Sequence, residues 1–97
     1  MRDGIAICIG KGNEQWLSTA PHGAGRIMSR AQAKKQISMN DFQASMSGIY
    51  SSSVCAGTLD ESPMAYKPTE EILKLIQPAV EVVAMIKPKL NIKDNGE

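Results

Sequence analysis

One histidine, four aromatic residues and two cysteines are all that the 97-residue chain holds in those classes, and each scarcity excludes something. A single histidine, His22, excludes a multi-histidine metal site built from this chain alone. Cys8 and Cys55 form no CxxC pair and have no histidine partners nearby. They read as reduced, small apolar residues of a cytoplasmic protein rather than as a disulfide. Trp16, Phe42, Tyr50 and Tyr66 are few for an independent core, and a chain of this length makes one domain at most. No apolar run approaches the ~20 residues that span a bilayer, no signal peptide opens the chain, and no membrane partner is expected. Charge of one sign is also lacking. A formal net charge of +1 gives no bulk attraction to nucleic acid, so any RNA contact must be local.

What is present is ordinary globular composition, 42% hydrophobic and 22% charged. Gly4 to Gly10 is an apolar run bounded by glycines, which predicts a buried strand. Lys11-Gly12-Asn13 predicts a turn and Trp16 to Ala20 a second strand, together a hairpin. Ser29 and Gln32 have the spacing of a capping box, so a helix is expected from Ser29 through Gln36. A second helix is expected from about Met39 to Ser47 with Gly48 as its stop. Ile49 to Ser62 reads as a serine-rich connection with room for a short strand. A last helix is predicted from Thr69, as N-cap, to Lys87-Pro88, with Ile72, Ile76, Ala79 or Val80, Val83 and Ile86 on its core face. Pro78 should kink it or divide it in two. Lys89 to Lys93 reads as a closing strand or an extended tail.

The segment that carries chemistry is Ala20 to Arg30, APHGAGRIMSR. Pro21 to Gly25 predicts a tight loop, where Gly23 and Gly25 would let the backbone turn and approach a ligand closely. Successive amides in such a loop make a concavity for anions. Arg26 and Arg30 flank the helix start, and either guanidinium could grip a phosphate. An imidazole in that setting suits phosphoryl or nucleotidyl transfer. By spacing alone, though, a histidine in a glycine loop is more often a turn residue, and two such arginines are usually a solvated helix start.

The stretch PHGAGR-x-MSR, Pro21 to Arg30, resembles the signature of the RtcB-type RNA ligases, the tRNA-splicing ligase family. Met1 to Gly4, Gly10 to Asn13, Gly48-Ile49-Tyr50, Asp60 to Lys67 (DESPMAYK) and the Ile86-to-Lys93 stretch agree with the family in the same order. The resemblance implies an α+β fold: a small sheet with helices packed on it, forming the C-terminal part of a larger catalytic domain, with residues 1–97 all belonging to that part.

The implied activity joins an RNA 3′-phosphate or 2′,3′-cyclic phosphate end to a 5′-hydroxyl, using GTP and manganese. The implied partners are RNA ends such as tRNA halves, together with the missing N-terminal part of the ligase. His22 matches the family's guanylylated nucleophile, a role that suits a neutral imidazole near pH 7. Gly23, Ala24 and Gly25 match the segment lining the bound guanylate. Tyr66 resembles the tyrosine near the guanine ring, although a tyrosine packed before a helix would look the same. Lys93 resembles the near-terminal lysine that contacts the base, but Asp94 to Glu97 run past the point where many members stop. Arg26 and Arg30 are the candidates for phosphate or RNA contact. The family's manganese ligands lie in its N-terminal and middle parts, so none is expected among these residues. The first methionine falls inside the family's sequence, so the chain is expected to be a piece of a longer ligase, the product of a split gene, or a remnant. The fragment alone should then be inactive, and its uncovered apolar faces could pair two copies. The alternative is a non-enzymatic module that binds an anion or a partner.

Overall fold

In the computed structural model, which describes residues 1–95, strand β1 (Ile5–Gly10) is followed by a 3₁₀ turn at Glu14–Trp16 and helices α1 (Arg30–Gln36) and α2 (Met39–Ser45). Two 3₁₀ helices (Ala56–Glu61 and Pro63–Ala65), helix α3 (Thr69–Leu75) and strand β2 (Val80–Ile86) complete the described elements. The class is α+β, as the sequence predicts. Gly96 and Glu97, the end of the expected tail, lie outside the described residues.

The sheet is two-stranded and antiparallel, and it joins opposite ends of the chain. Ile5 faces Ile86, Gly10 faces Val80, and Val83 is the extra residue of a bulge beside Ile7 and Cys8. Gly4 admits this pairing. Its φ is +92°, and a Cβ there would sit 2.0 Å from the Ile86 carbonyl oxygen, so only glycine lets the strands close.

The expected hairpin and the long last helix are both corrected. Trp16 to Ala20 form no strand. Asn13 Oδ1 instead accepts the Gln15 amide at 2.9 Å, which starts the 3₁₀ turn, and Leu17 and Ser18 follow with φ of 54°. The partner of β1 is the segment read as the end of a helix. Pro78 cannot continue the hydrogen-bond ladder of α3, and beyond it the β-branched run Val80, Val82, Val83 and Ile86 favours extension. Groups from the far end of β1 satisfy the carbonyls after α3: Lys11 Nζ donates to Gln77 O at 2.6 Å and Asn13 Nδ2 to Pro78 O at 3.0 Å. Thr69 is the first helical residue, not the cap, because Pro68 holds the cap position. Its hydroxyl donates to Asp3 Oδ2 at 2.6 Å instead.

Locally encoded helices form where expected. Ser29 Oγ accepts the Gln32 amide at 3.1 Å while Gln32 Oε1 accepts the Ser29 amide at 3.0 Å, the reciprocal capping box. Ser38 Oγ caps α2 through the Asp41 amide, and Gly48, at φ +87°, follows its last turn. The serine-rich connection holds one bridge rather than a strand: Tyr50 pairs with Leu90, and this is also the only extended pairing that Lys89 to Lys93 make.

The main core lies off the sheet. Ala33 and Ile37 of the α1 region, Phe42 and Met46 of the α2 region, and Leu59 and Ala65 of the 3₁₀ helices pack together, with Phe42 wholly buried. On the sheet, Ile5, Ile7 and Ile9 alternate onto one face with Ile86 opposite Ile5, and all four are exposed. Phe42→Ala should therefore cost roughly 3–5 kcal/mol, whereas Ile9→Ala should stay within about 0.5 kcal/mol. Denaturant unfolding of the two variants measures both, and equal costs would put the core in the wrong place.

Candidate functional site

The loop from Pro21 to Gly25 carries no regular structure and leaves His22 exposed. The imidazole lines a groove of about 270 Å³, together with Asp3, Ala6, Cys8, Thr69 and Met85, and hydrogen-bonds none of the described residues. Gly25 turns the chain with φ of +81°, and Lys67 lies over the place its Cβ would take, at 3.8 Å. Gly23 has an ordinary φ and open space around it, so of the two expected turn glycines only Gly25 is conformationally required.

After Gly25 the chain pairs with the segment around Tyr66. The Lys67 amide donates to Gly25 O at 2.9 Å and the Ile27 amide to Ala65 O at 3.0 Å, so Arg26 and Tyr66 face each other across an antiparallel bridge. The Arg26 guanidinium stands 4.8 Å from the centre of the Tyr66 ring, within cation–π range. Ala24, Asp3, Gly4 and Thr69 line both the His22 groove and a second hollow that reaches Tyr66 and Lys67. The histidine loop and the tyrosine therefore belong to one continuous surface.

Four of the expected site residues meet at a fifth that the sequence reading gave no role, Glu61. Arg30 Nη1 donates to its Oε1 at 2.5 Å, and Arg26 Nη2 reaches the same oxygen at 3.4 Å. The Tyr66 hydroxyl donates to Oε2 at 2.7 Å and Lys93 Nζ at 3.3 Å. Arg26 Nη2 also donates to the Tyr66 oxygen at 3.1 Å, and Arg30 to Asp60 Oδ2 at 2.8 Å. Lys93 reaches the cluster because its backbone is pinned. Buried Ser53 accepts the Lys93 amide at 3.0 Å and donates to the Lys93 carbonyl at 2.9 Å, and Thr58 in turn donates to the Ser53 carbonyl. His22 is outside this cluster and joins it only through the loop. Asp60 and Glu61 were visible as part of the DESPMAYK stretch, but nothing local in that stretch marks Glu61 as the meeting point.

The charges are matched in a particular way. Arg26, Arg30 and Lys93 against Asp60 and Glu61 leave one net positive charge. Burial works to raise the Glu61 pKa, but hydrogen bonds from Arg30, Tyr66 and Lys93 outweigh it and bring it down to about 2. Asp60 is lowered by its bond from Arg30, against burial. Tyr66 is raised, first by burial and then by its bond to Glu61. Arg26 Nη1 is buried with no hydrogen-bond partner among the described residues, an unmet charged donor that an anion could satisfy.

Manganese has no comparable seat. Among the described residues, no three His, Cys, Asp or Glu side chains come together in a way that could hold a metal ion. Cys8 and Cys55 are free thiols, the first exposed. No described helix is long and apolar enough to cross a membrane.

Compared with known proteins, residues 1–94 match the family model described as tRNA-splicing ligase RtcB. The RNA-splicing ligase RtcB of Escherichia coli K12 is 36% identical over 87 residues, which are 90% of this chain and 21% of that protein. The tRNA-splicing ligase RtcB of Archaeoglobus fulgidus is 31% identical over 89 residues, 87% of this chain and 18% of that protein. That of Aeropyrum pernix is 37% identical over 74 residues, 73% of this chain and 15% of that protein. The chain thus spans roughly a fifth of the length of such relatives. No solved structure matches it significantly.

The Glu61 geometry has a pH signature. Its pKa falls from 4.5 to about 2 on folding, so its stabilisation is complete above about pH 4.5 and is lost as the pH drops through about 2. Groups common to both proteins cancel when wild type is compared with Glu61→Gln. The gap between their denaturation midpoints should be widest above pH 4.5 and should close as the pH approaches 2. A gap independent of pH would mean that the carboxylate is not held as described.

Proposed function

The chain belongs to the tRNA-splicing ligase RtcB family, and we propose that it supplies the nucleotide-accepting part of an RNA ligase. In this reading His22 is the nucleophile. A neutral imidazole nitrogen attacks the α-phosphorus of GTP, and a P–N bond forms as the P–O bond to pyrophosphate breaks. GMP then passes to the 3′-phosphate of one RNA end, which frees His22. A 2′,3′-cyclic phosphate must first be opened by water to the 3′-phosphate. The 5′-hydroxyl of the other end attacks the activated phosphate, releasing GMP and leaving a phosphodiester.

The observation that carries this reading is the continuity between two features. An exposed histidine sits on a loop whose far end is hydrogen-bonded directly to the Tyr66 segment, which connects the proposed nucleophile to Tyr66 through one backbone pairing. Gly23, Ala24 and Gly25 would line the guanylate, Tyr66 and Lys93 would meet the base, and Arg26 and Arg30 would take phosphate or RNA. The buried, unpartnered Arg26 Nη1 fits an anionic ligand of this kind.

Manganese would neutralise the triphosphate and assist the leaving group, but among the described residues no three potential ligands gather to hold it. The ligands must come from the part of the ligase that this chain does not span. That part is the proposed partner, along with RNA ends such as tRNA halves, in the cytoplasm. The exposed face of Ile5, Ile7, Ile9 and Ile86 offers it an apolar seat, and a second copy of the chain could compete for the same face. A non-catalytic anion-binding module is the second reading, and the same Arg26 donor favours it.

Labelled GTP separates the two readings. With manganese and the complementary part of a family ligase, the chain should acquire a covalent GMP adduct that is acid-labile and alkali-stable, as a phosphoramidate is. His22→Ala should reduce the adduct to background with little change in thermal stability, since an exposed imidazole adds little to the core. An adduct of wild-type size on the His22→Ala chain would remove His22 from the mechanism. Reversible GTP binding with no adduct in either protein would favour the module.

A further inference from the structure

Glu61 takes no part in the chemistry assigned to His22, yet every side chain assigned to base or phosphate contact is bonded to it. Oε1 serves Arg30 at 2.5 Å and Arg26 at 3.4 Å, and Oε2 serves Tyr66 at 2.7 Å and Lys93 at 3.3 Å. Four donors fill the acceptor capacity of a carboxylate, and its side chain is only 19% exposed. Glu61 therefore has little left with which to hold a ligand. What it can do is fix the groups around it.

We propose that Glu61 is a positioning residue that sets where Tyr66 and Lys93 meet the guanine nucleotide, an inference that rests on the ligase reading above. The Tyr66 phenol is held at two points: it donates to Glu61 and accepts from Arg26 Nη2 at 3.1 Å, while the guanidinium covers one side of its ring. Rotation of the ring out of place would break both bonds. The Lys93 ammonium has three donors. Glu61 takes one and so restrains a long, flexible stem. Glu61 also stands between Arg26, Arg30 and Lys93 and pairs with all three cations. Neutralising Glu61 removes a restraint shared by the tyrosine, the lysine and Arg26, while Arg30 keeps its bond to Asp60.

A purely structural tie would behave differently from a positioning residue. Loss of a structural tie lowers the folded fraction, and so the yield of adduct at every GTP concentration. Loss of positioning shifts the GTP concentration required. The experiment follows His22 adduct formation against labelled GTP, using the chain assembled with the complementary part of the ligase. Glu61→Gln should raise the half-saturating GTP concentration about tenfold or more, the scale of one lost hydrogen bond to a charged group. The plateau should stay within about twofold of wild type. An unchanged half-saturation with a reduced plateau would overturn the proposal. If Glu61→Gln does not fold, Glu61→Asp keeps the charge but withdraws the carboxylate by about 1.5 Å, and the same shift is expected of it.

A second readout needs no activity. Ionisation of Tyr66 in the chain alone, followed by ultraviolet absorbance and assigned by its loss in Tyr66→Phe, should move to lower pH in Glu61→Gln. A Tyr66 midpoint unmoved by the substitution would show that Glu61 does not hold the phenol, and would end the proposal. If wild type forms no adduct at all, the ligase reading fails, and the tyrosine titration alone decides whether Glu61 positions Tyr66.

Discussion

A single carboxylate, Glu61, takes hydrogen bonds from four side chains that come from separate segments of the chain. It ends the 3₁₀ helix Ala56–Glu61 and takes hydrogen bonds from the histidine loop's exit at Arg26, from the first turn of α1 at Arg30, from Tyr66 and from the C-terminal stretch at Lys93. The apolar core of Phe42, Ala33 and Leu59 holds the helices together, but it does not reach Lys93 or orient Arg26. The carboxylate is well enough covered for its bonds to matter and open enough to stay charged. Burial alone would raise its pKa, and the donors reverse that. Fixing the loop exit also fixes the loop, because Gly25 and Ile27 are hydrogen-bonded on either side of Arg26.

What could be read from the sequence follows from how far apart the interacting residues are. The Ser29 capping box, the Gly48 stop and the loop character of Pro21 to Gly25 depend on neighbours within a few residues, and all three are present. The strand Ile5–Gly10 was legible as a strand, but it is largely exposed rather than buried as the apolar run predicts, and its partner was not legible. The apolar residues from Ile72 to Ile86 fit a helical period as readily as an extended run, and only Pro78 and the valines beyond it favoured the strand. The Trp16 segment failed for the same reason: a local turn led by Asn13 outcompeted a pairing that a distant segment took instead. In the site, Arg26 and Arg30 could be named from their place at the helix start, and Tyr66 and Lys93 through the family resemblance, but Glu61 could not. Its importance comes from four separate segments closing on it, and no periodicity or spacing records that.

In the ligase proposed above, the work would be divided between this chain and the rest of the enzyme. This chain carries an exposed histidine and a preassembled set of cations beside an aromatic ring. Among the described residues no three His, Cys, Asp or Glu side chains gather to hold a metal ion, and one sheet face is exposed at Ile5, Ile7, Ile9 and Ile86. A two-stranded sheet is marginal by itself, and covering that face would bury several isoleucines at once. Nucleotide capture and metal chemistry would then sit on opposite sides of one boundary. Assembly across it would complete both the core and the reaction centre.

The most direct test of the account is the titration of Glu61 itself. Carbon-detected NMR of the chain, with the Glu61 side-chain carboxyl assigned through loss of its signal in Glu61→Gln, reads the protonation of that one group. A midpoint near 2 is what the four-donor arrangement predicts. A midpoint at the ordinary 4.5 would mean that Arg30, Tyr66 and Lys93 do not converge on it, and the site as described would not exist.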